Sequence, residues 1–365
     1  MKKILSVVIA ISMLLGMMIP MGITASAAVA TECATWAEVV AAVEADSAAS
    51  IKLTADVTAD STIASFAGTF DGNGKTVTAT TTMFTTAAEG STFKNFTMNG
   101  TTTVSPFIMN AGAATEAAPI TIKDVISNVD VTITTGTCAS FIAMVPAVTT
   151  FIVMDNCVSN GTINSSNQVG AFIGRTNATE LTAKFTNCVN NSDVSTTSSY
   201  AGGFIGMLDS GKHYITIDCC ANNGAISANG SDAAGFIGDV AGSSENTVTI
   251  TNSLNSGKII NNKSASSNEK YSASGFVARV DKAAYLSISN CLSTSTEFVS
   301  TVGHAAYFCN YMAQGTLALT NCYYVDANLG DLHTGALELG EGYEMTAVTA
   351  EQLASGEVAY LLQGE

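Results

Sequence analysis

Two series of apolar positions recur along the chain at intervals of about 30 residues, a period typical of solenoids. The first series is mostly cysteine and runs through Phe96, Val125, Cys157, Cys188, Cys220, Ser253, Cys291 and Cys322. The second series is aromatic and runs through Phe107, Phe141, Phe172, Phe204, Phe236, Phe276 and Tyr307. Short β-type segments, such as residues 181–185, 214–217 and 247–250, lie between these positions. The pattern predicts one structural unit per repeat.

The length of the repeat narrows the choice of solenoid. No copy has room for a helix of the usual ~10–12 residues, so helical-pair and leucine-rich solenoids are excluded. A β-propeller blade needs four strands and roughly 40 residues. Three short strands and three turns correspond instead to one coil of a parallel β-helix, whose coils stack ~4.8 Å apart. We therefore predict an all-β, right-handed parallel β-helix, a single-stranded solenoid of ~30–35 residues per coil with short helical caps at both ends.

Polar residues recur in the same register as the apolar ones. The residue before the cysteine position is Asn95, Asp124, Asn156, Asn187, Cys219, Asn252, Asn290 or Asn321, and Asn99, Asn128, Asn160, Asn191 and Asn223 stand three residues after it. Asparagine tolerates a left-handed backbone and hydrogen-bonds its own main chain, while glycine suits positions where φ is positive. We expect the cysteine and aromatic ladders to point inward and the asparagines to form turns.

The two ends of the chain predict different elements. Residues 1–27 read as a secretory signal, with two early lysines, an apolar run over residues 4–19 and a small-residue site that gives a cut after Ala27. We expect residues 28–347 to form the β-helix and residues 348–365 to form a C-terminal capping helix. The mature protein would then be secreted or held at the cell surface, with no membrane insertion once the signal is removed.

Helical caps are expected because an open end of a β-helix exposes strands that would pair with other chains. Residues 35–46 fit an amphipathic helix, in which Thr35 begins a capping box and Trp36 closes the end of the core. Thr349 begins a second capping box near the C terminus, before a helix that Gly356 weakens.

Composition agrees with an extracellular solenoid and excludes some partners. Charged residues make up 12% of the chain, against ~25% in ordinary globular domains. The formal net charge of −16 argues against nucleic acid and anionic lipid surfaces, which attract basic proteins. We expect a monomer whose partner is an extracellular glycan or a host or cell-surface ligand.

The nine cysteines have two interpretations. In an exported chain they would normally suggest disulfides, and adjacent coils bring Cα atoms within bridging range. Parallel side chains in register point the same way, however, and do not readily reach the disulfide dihedral. We expect stacked free thiols, with a Cys188–Cys220 bridge as the main alternative. Because His213, His304 and His333 lie outside the cysteine ladder, neither a zinc site nor a cofactor is predicted.

A carbohydrate-cleaving enzyme on this fold would need carboxylates that face one another across the scissile bond. Asp239 and Asp281 stand at different distances from the aromatic series, and neither Arg175 nor Arg279 adjoins an acidic ladder in the sequence. We therefore assign no catalytic residue.

The remaining acidic positions predict turns. Asp130 and Asp193 share one turn position of the repeat. Residues 71–74 begin like a calcium loop but lack the distal Glu, and residues 326–331 offer three oxygen ligands without the rest of the pattern. We assign no metal-binding or cofactor-binding residue.

Several segments resemble a known family. Phe-Ala-Gly-Thr-Phe-Asp-Gly-Asn-Gly-Lys-Thr-Val at residues 66–77 resembles the opening coil of bacterial surface proteins with GLUG-type repeats, which belong to the pectate-lyase-like right-handed β-helix group. Residues 93–100 resemble their next coil, and the Gly-x-Phe-Ile-Gly copies, first seen at residues 170–174, resemble the repeat that names the family. The likeness covers roughly residues 35–363, although Phe-Ile replaces the usual Leu-Val or Leu-Phe. It implies an exported binding or adhesive role and supplies no catalytic residues.

Together these features predict a secreted or cell-surface, non-catalytic module for adhesion or for binding a glycan or host ligand. Two alternatives stay open: a polysaccharide lyase or glycoside hydrolase on the same fold, and a purely structural stalk of a larger surface protein. The longest gap between copies, from Lys258 to Tyr271, carries Lys263, Glu269 and Lys270. Because extra residues in a solenoid repeat emerge as a loop on one face, we expect this loop to mark the ligand side.

Overall fold

The computed structural model of the protein describes residues 29–263, 271–283, 285–301, 304–326 and 344–362. Every strand pairing within these ranges is parallel, and each strand pairs with the equivalent strand of a neighbouring coil. The strands form a 24-stranded, a nine-stranded and a six-stranded sheet. The chain is therefore an all-β, right-handed parallel β-helix, as the repeat predicts.

One coil contains five short strand segments instead of the predicted three. In a central coil they are Glu180–Thr186, Val189–Asn190, Val194–Thr196, Ala201–Gly202 and Ile205–Leu208. The first three segments belong to the 24-stranded sheet, the fourth to the six-stranded sheet and the fifth to the nine-stranded sheet. The additional segments are so short that alternation of polar and apolar residues cannot reveal them in the sequence.

The three sheets consist of the following strands. In the 24-stranded sheet, the first ladder contains Thr31–Cys33, Ser50–Leu53, Thr69–Ala79, Thr92–Thr102, Ile120–Ile133, Thr149–Asp155, Glu180–Thr186, Lys212–Asp218, Thr247–Thr251, Tyr285–Ser289 and Thr316–Thr320. The second ladder contains Val57–Ala59, Val158–Ser159, Val189–Asn190, Ala221–Asn222, Leu254–Asn255, Leu292–Ser293, Cys322–Val325 and Met345–Val348, and the third contains Ile163–Ser165, Val194–Thr196, Ile226–Ala228, Ile259–Asn261 and Phe298–Ser300. The six-stranded sheet contains Cys138–Ala139, Val169–Gly170, Ala201–Gly202, Ala233–Ala234, Ala273–Ser274 and Ala305–Ala306. The nine-stranded sheet contains Ile63–Phe66, Phe84–Ala87, Ile108–Ala111, Ile142–Val145, Ile173–Thr176, Ile205–Leu208, Ile237–Val240, Val277–Val280 and Cys309–Met312.

A left-handed residue turns the chain at one corner of each coil. Positive φ angles between 51° and 59° occur at Asn73, Asn95, Asp124, Asn156, Asn187, Cys219, Asn252, Asn290 and Asn321. Eight of these residues directly precede a member of the cysteine series, where the sequence predicts turns. The ninth, Asn73, lies opposite Asn95, where the register between the two strands shifts. Asn or Asp fills all but one of the corners because short polar side chains tolerate this conformation. Cys219 is the exception.

The interior is a continuous column that contains the predicted cysteine series. No member of that series is more than 3% exposed, and all nine cysteines of the chain are unpaired thiols. The backbone N–H of Cys188 donates to Sγ of Cys220 at 3.3 Å, so these two residues are in contact without a bridge. The predicted stack of thiols is present, and the alternative disulfide is not formed.

The aromatic series forms a ring stack whose last member differs from the prediction. Centroids lie 4.7–5.0 Å apart along Phe141, Phe172, Phe204, Phe236, Phe276 and Phe308. The assignment of Tyr307 to this series is wrong by one residue, because Val277 pairs with Cys309 and thus aligns Phe276 with Phe308. Tyr307 takes the place of a repeat glycine, and its ring stacks on Tyr324 at 4.1 Å.

Close packing, not positive φ, explains the glycines of the Gly-x-Phe-Ile-Gly copies. A Cβ on Gly206 would lie 2.4 Å from the carbonyl oxygen of Gly174, and a Cβ on Gly238 would lie 2.6 Å from that of Gly206. Neighbouring coils approach so closely here that a side chain does not fit. The expectation that glycine marks positive φ holds in a loop at Gly211, where φ is 97°, but not in this repeat.

Two ladders of side-chain amides connect the coils, one buried and one exposed. In the buried ladder, Nδ2 of Asn190 donates to Oδ1 of Asn222, and Nδ2 of Asn222 donates to Oδ1 of Asn255, each at 2.8 Å. In the exposed ladder, Nδ2 of Asn223 donates to Oδ1 of Asn191 at 2.9 Å. The sequence predicts the exposed asparagines but not the buried ones, whose amides satisfy each other inside the column.

The N-terminal cap forms as predicted. The helix Trp36–Ala45 begins at Thr35 through a complete capping box. Trp36 is 3% exposed, its Nε1–H donates to the carbonyl oxygen of Ser61 at 2.8 Å, and its ring contacts Phe70 edge-on. This helix closes the apolar column at its first coils.

The C-terminal cap consists of two short helices, Ala350–Ser355 and Glu357–Leu362. Thr349 caps the first through the predicted capping box, and Gly356, with φ 81°, ends it. The expected single helix is therefore broken at the glycine, since this residue adopts the left-handed conformation at low cost. Val358 is buried in a small cluster separate from the main column.

Some predicted features lie outside the described residues. They are the signal sequence, residues 264–270 of the longest gap with Glu269 and Lys270, and residues 327–343 with His333. The division of the chain after residues 27 and 347 stays a prediction. Among the described helices, none is both long and apolar enough to cross a membrane.

The buried amide ladder should contribute more to stability than the exposed one. Asn222→Ala removes the donor to Asn255 and one acceptor of Asn190 inside the column, so we expect a loss of ~2–4 kcal/mol. The matched variant Asn223→Ala, at the next residue, breaks amide bonds that water can replace, so we expect a loss of about 0.5 kcal/mol. Urea unfolding followed by circular dichroism measures both changes. Equal losses would contradict the assignment of the buried ladder.

Candidate functional site

The outer side of the nine-stranded sheet carries three charged side chains, Arg175, Asp239 and Arg279, along one line of register. We call this line the outer ladder, and it consists of Asn110, Met144, Arg175, Met207, Asp239, Arg279 and Tyr311. Strand residues alternate between the two faces of a sheet. The residues directly before and after Met207 in its strand, Gly206 and Leu208, are buried, whereas Met207 is partly exposed. The ladder therefore lies on the face of the sheet that points away from the core.

Asp239 is buried on this ladder between Met207 and Arg279. Its side chain is 1% exposed, and neither carboxylate oxygen has a hydrogen-bond partner among the described residues. Arg279 directs its Nε and Nη2 to Asp281 instead, at 2.9 and 2.6 Å. Burial raises the pKa of Asp239 well above its ordinary value, and the opposing charge of Arg279 does not cancel the effect. The protonated form of Asp239 is therefore favoured.

Tyr200 and Asp232 contribute to the same cluster from the turns that precede the six-stranded sheet. Asp232 accepts hydrogen bonds from the backbone N–H of Ser272 at 2.7 Å and from Oγ of Ser231 at 3.1 Å. Burial raises the pKa of Asp232 to about 7. The Tyr200 hydroxyl oxygen accepts from Nη1 of Arg279 at 3.5 Å, and burial raises the pKa of Tyr200 to about 12.

Tyr200, Asp232, Asp239, Arg279 and Asp281 together form what we call the charged cluster. It combines three carboxyl groups with one guanidinium. A buried carboxyl that keeps its proton is the kind of group that general acids use. The oxygens of Asp239 are shielded from solvent, however, so a substrate does not reach them in this conformation. The cluster is closed to solvent at Asp239 and does not form an open active site.

The cluster contains a contact that the sequence analysis did not predict. Arg279 pairs in register with Asp239 on the neighbouring strand, although the line of register that holds them is not an acidic ladder. Arg175 likewise forms an ion pair with Asp209 through its Nε and Nη2. A signal was available, since Asp239 and Arg279 each stand three residues after an aromatic position of the repeat. The sequence also predicts that Asp239 and Asp281 are out of register. This prediction is confirmed, because Asp239 pairs with Arg279 and not with Asp281.

An open pocket of about 480 Å³ lies near the start of the outer ladder. Two turns, at residues 103–105 and 133–137, form its walls, and Asn110 and Met144 of the outer ladder form part of its floor. Hydroxyl, amide and apolar groups line the pocket, and no charged residue belongs to the lining. The sequence does not indicate this site, because residues 103–105 and 133–137 meet only when successive coils stack.

Of the other acidic candidates, Asp193 lies between two strands, as predicted for a turn residue, whereas Asp130 lies within the strand Ile120–Ile133 and Asp71 within the strand Thr69–Ala79. Oδ1 of Asp130 accepts from both N and Oγ1 of Thr162 at 2.8 Å, and these bonds lower the pKa of Asp130. Oδ1 of Asp193 accepts from the backbone N–H of Ala225 at 3.0 Å. Asp71 forms an ion pair with Lys94 at 3.3 Å. Within the described part of the chain, no three His, Cys, Asp or Glu side chains converge on a common metal position.

Comparisons with known proteins add little to this picture. No protein-family model matches the sequence, and no curated protein matches it, so the likeness to GLUG-repeat proteins stays a prediction. A solved structure from Bacteroides ovatus, provisionally described as an immunoglobulin A1 protease, is similar at 16% identity with a TM-score of 0.42. The alignment covers 91% of this chain and 87% of that chain. A likeness at this level carries no argument about function.

The buried carboxyls of the charged cluster should make stability fall as pH rises above ~4. Between the unfolded pKa of about 4 and the raised pKa values of the folded state, folding retains protons that the unfolded chain has released. Asp239→Asn removes one such group, so we expect a gain of roughly 1–2 kcal/mol at pH 7.5 and no gain at pH 4. Urea midpoints at the two pH values measure this difference.

Asp209→Asn is the control for that measurement. It removes a partly exposed carboxylate that pairs with Arg175, and we expect a small loss of stability at both pH values. A destabilised Asp239→Asn variant at pH 7.5 would contradict the account of the charged cluster.

Proposed function

We propose that this protein is an exported, non-catalytic β-helix module that binds an extracellular glycan or host ligand through the open pocket beside the outer ladder. The observation that carries the proposal is the pocket lining. It combines hydroxyl and amide groups with apolar surface and includes no charge. Neutral sugars present the same combination of hydroxyl groups and apolar C–H faces, and small-ligand sites are typically concave, with a few polar groups that fix orientation.

The rest of the chain supports a binding role more than a catalytic one. The charged cluster is packed against itself, and its most perturbed carboxyl is shielded from solvent. The interior is filled by side chains from one end of the described coils to the other, which gives a rigid support for residues displayed outside. The N-terminal signal expected from the sequence would place this support outside the cell.

Blocking the pocket should remove ligand binding without unfolding the protein. Thr135 is exposed on the wall of the pocket, so Thr135→Trp should fill its mouth. Thr132 is exposed in the strand Ile120–Ile133 and does not line the pocket. Thr132→Trp therefore adds the same bulk elsewhere.

The measurement is retention of the purified protein on a panel of immobilised host and plant glycans and mucin. We expect at least a tenfold loss of affinity, or ~1.4 kcal/mol, for Thr135→Trp and no loss for Thr132→Trp. Wild-type protein that retains no ligand from the panel would overturn the proposed function and leave the structural-stalk alternative.

A second candidate function, cleavage of polysaccharide, is favoured by one observation. Burial raises the pKa of Asp239 well above its ordinary value, and burial is one way in which a carboxyl group keeps the proton that a general acid donates. An opening of the cluster would be needed before a glycosidic oxygen could reach it. Assays for new chain ends on pectin and glycans, with and without calcium, distinguish this function. Cleavage that disappears in Asp239→Asn would establish it and overturn the non-catalytic proposal.

A further inference from the structure

One line of register on the outer side of the 24-stranded sheet alternates aromatic residues with threonine. The line runs through Phe151, Thr182, Tyr214, Thr247, Tyr285 and Thr316, each paired with the next on the neighbouring strand. We call Phe151, Tyr214 and Tyr285 the aromatic strip. None of its three residues lines the pocket, and the strands of the charged cluster belong to another sheet.

The three rings point away from the core. In the strand Thr149–Asp155 the residues on either side of Phe151 are buried, and in Lys212–Asp218 the same holds for the neighbours of Tyr214. Tyr285 is 39% exposed, and Phe151 and Tyr214 are partly exposed. These residues are therefore displayed on the surface and are not members of the ring stack inside.

The spacing of the rings is set by the coils. Adjacent parallel strands lie ~4.8 Å apart, so rings on every second coil repeat at ~9.6 Å along the axis. This distance is close to the advance of one disaccharide in an extended β-1,4-linked polysaccharide. In such a chain every second sugar presents the same face, so a ring at every second coil meets an equivalent sugar each time.

The two lines of register that flank the strip differ in charge. One line contains Val153, Lys184, Thr216, Thr249, Ser287 and Ala318. Lys184 is the only charged member of this line, and its Nζ lies over the ring of Phe151 at 4.9 Å from the centroid. On the other side Thr149 is followed by Glu180 and Lys212, and Nζ of Lys212 pairs with Glu245 at 2.6 Å. Tyr214 and Tyr285 therefore have small, uncharged neighbours on the first side, and the net charge of −16 repels anionic polymers.

We propose that the aromatic strip binds an extended, neutral, β-1,4-linked polysaccharide of the cellulose or chitin type, with the apolar faces of alternate sugars stacked on the three rings. Aromatic side chains offer large, rigid contact areas at low entropic cost, and one line of register presents all three rings on the same face of the sheet. The inference rests on the proposed glycan-binding function and adds to it a second surface with a stated ligand class.

A purely structural role makes a different prediction. Aromatic residues beside threonine on neighbouring strands also stabilise a sheet by cross-strand packing. In that case replacing the rings would lower stability without a selective effect on polysaccharide binding. The threonine rungs of the same line provide a matched control, because they share the strands and the outward direction but lack rings.

The experiment compares sedimentation of wild-type protein with microcrystalline cellulose and with chitin against sedimentation of two triple variants. One variant carries Phe151→Ala, Tyr214→Ala and Tyr285→Ala, and the other replaces the three threonine rungs with alanine. We expect at least a tenfold loss of affinity for the first variant and less than a twofold loss for the second. Circular dichroism at the assay temperature confirms that both variants are folded. Granular starch, an α-linked polymer without this repeat, should retain none of the three proteins.

Single variants test the geometry more finely and keep the proposal falsifiable if the triple variant does not fold. Because Lys184 covers the ring of Phe151, Tyr214→Ala and Tyr285→Ala should each weaken binding more than Phe151→Ala does. Wild-type binding to cellulose or chitin that the strip variants retain in full would overturn this inference and leave the pocket proposal standing. Wild-type protein that sediments with neither polymer would overturn the strip proposal, while the glycan panel decides separately on the proposed function.

Discussion

The structure depends on the exact superposition of successive coils. Each coil turns at a left-handed corner, and eight of the nine corner residues are Asn or Asp. That corner fixes which residues lie above one another, so the thiol series, the stacked phenylalanines and the buried amides all form continuous ladders. A slip of one residue would exchange inward and outward side chains along a strand. It would also place side chains where the carbonyl oxygens of adjacent coils leave room only for glycine, as at Gly206 and Gly238.

The same superposition organises the outer surface. Residues separated by about 30 positions in sequence come to lie ~4.8 Å apart. Asp239 and Arg279 become neighbours in this way, and the two turns around the pocket are brought together by it. The aromatic strip repeats with the period of two coils for the same reason. The distances available for recognising a polymer are therefore multiples of the coil spacing, whichever residues a given coil displays.

The sequence predicts most of the fold because the repeat is marked by residue types that differ strongly in size, polarity and backbone preference. Asn at the corner, Cys and Phe inside, and the capping boxes at Thr35 and Thr349 are each recognisable without coordinates. Two-residue strands and the buried ladder at Asn190, Asn222 and Asn255 are not, since an inward asparagine looks like another turn residue. Tyr307 was assigned to the aromatic series in place of Phe308 because an aromatic residue stands there where other copies have glycine. The candidate sites were harder to predict, because the pocket and the aromatic strip are each formed by residues from several coils. The residues next to Tyr214 in sequence do not show that its ring belongs to such a strip.

Distances between spin labels test the stacking of one repeat per coil most directly. Cys219→Asn removes the exposed native thiol, and labels are then attached at Thr92→Cys together with either Thr216→Cys or Ser287→Cys. These pairs lie on one line of register, four and six coils apart, which corresponds to about 19 and 29 Å between backbones. Double electron–electron resonance should therefore show the second distance longer than the first by about 10 Å. Equal distances, or a shorter second distance, would contradict the parallel β-helix and every proposal that depends on its register.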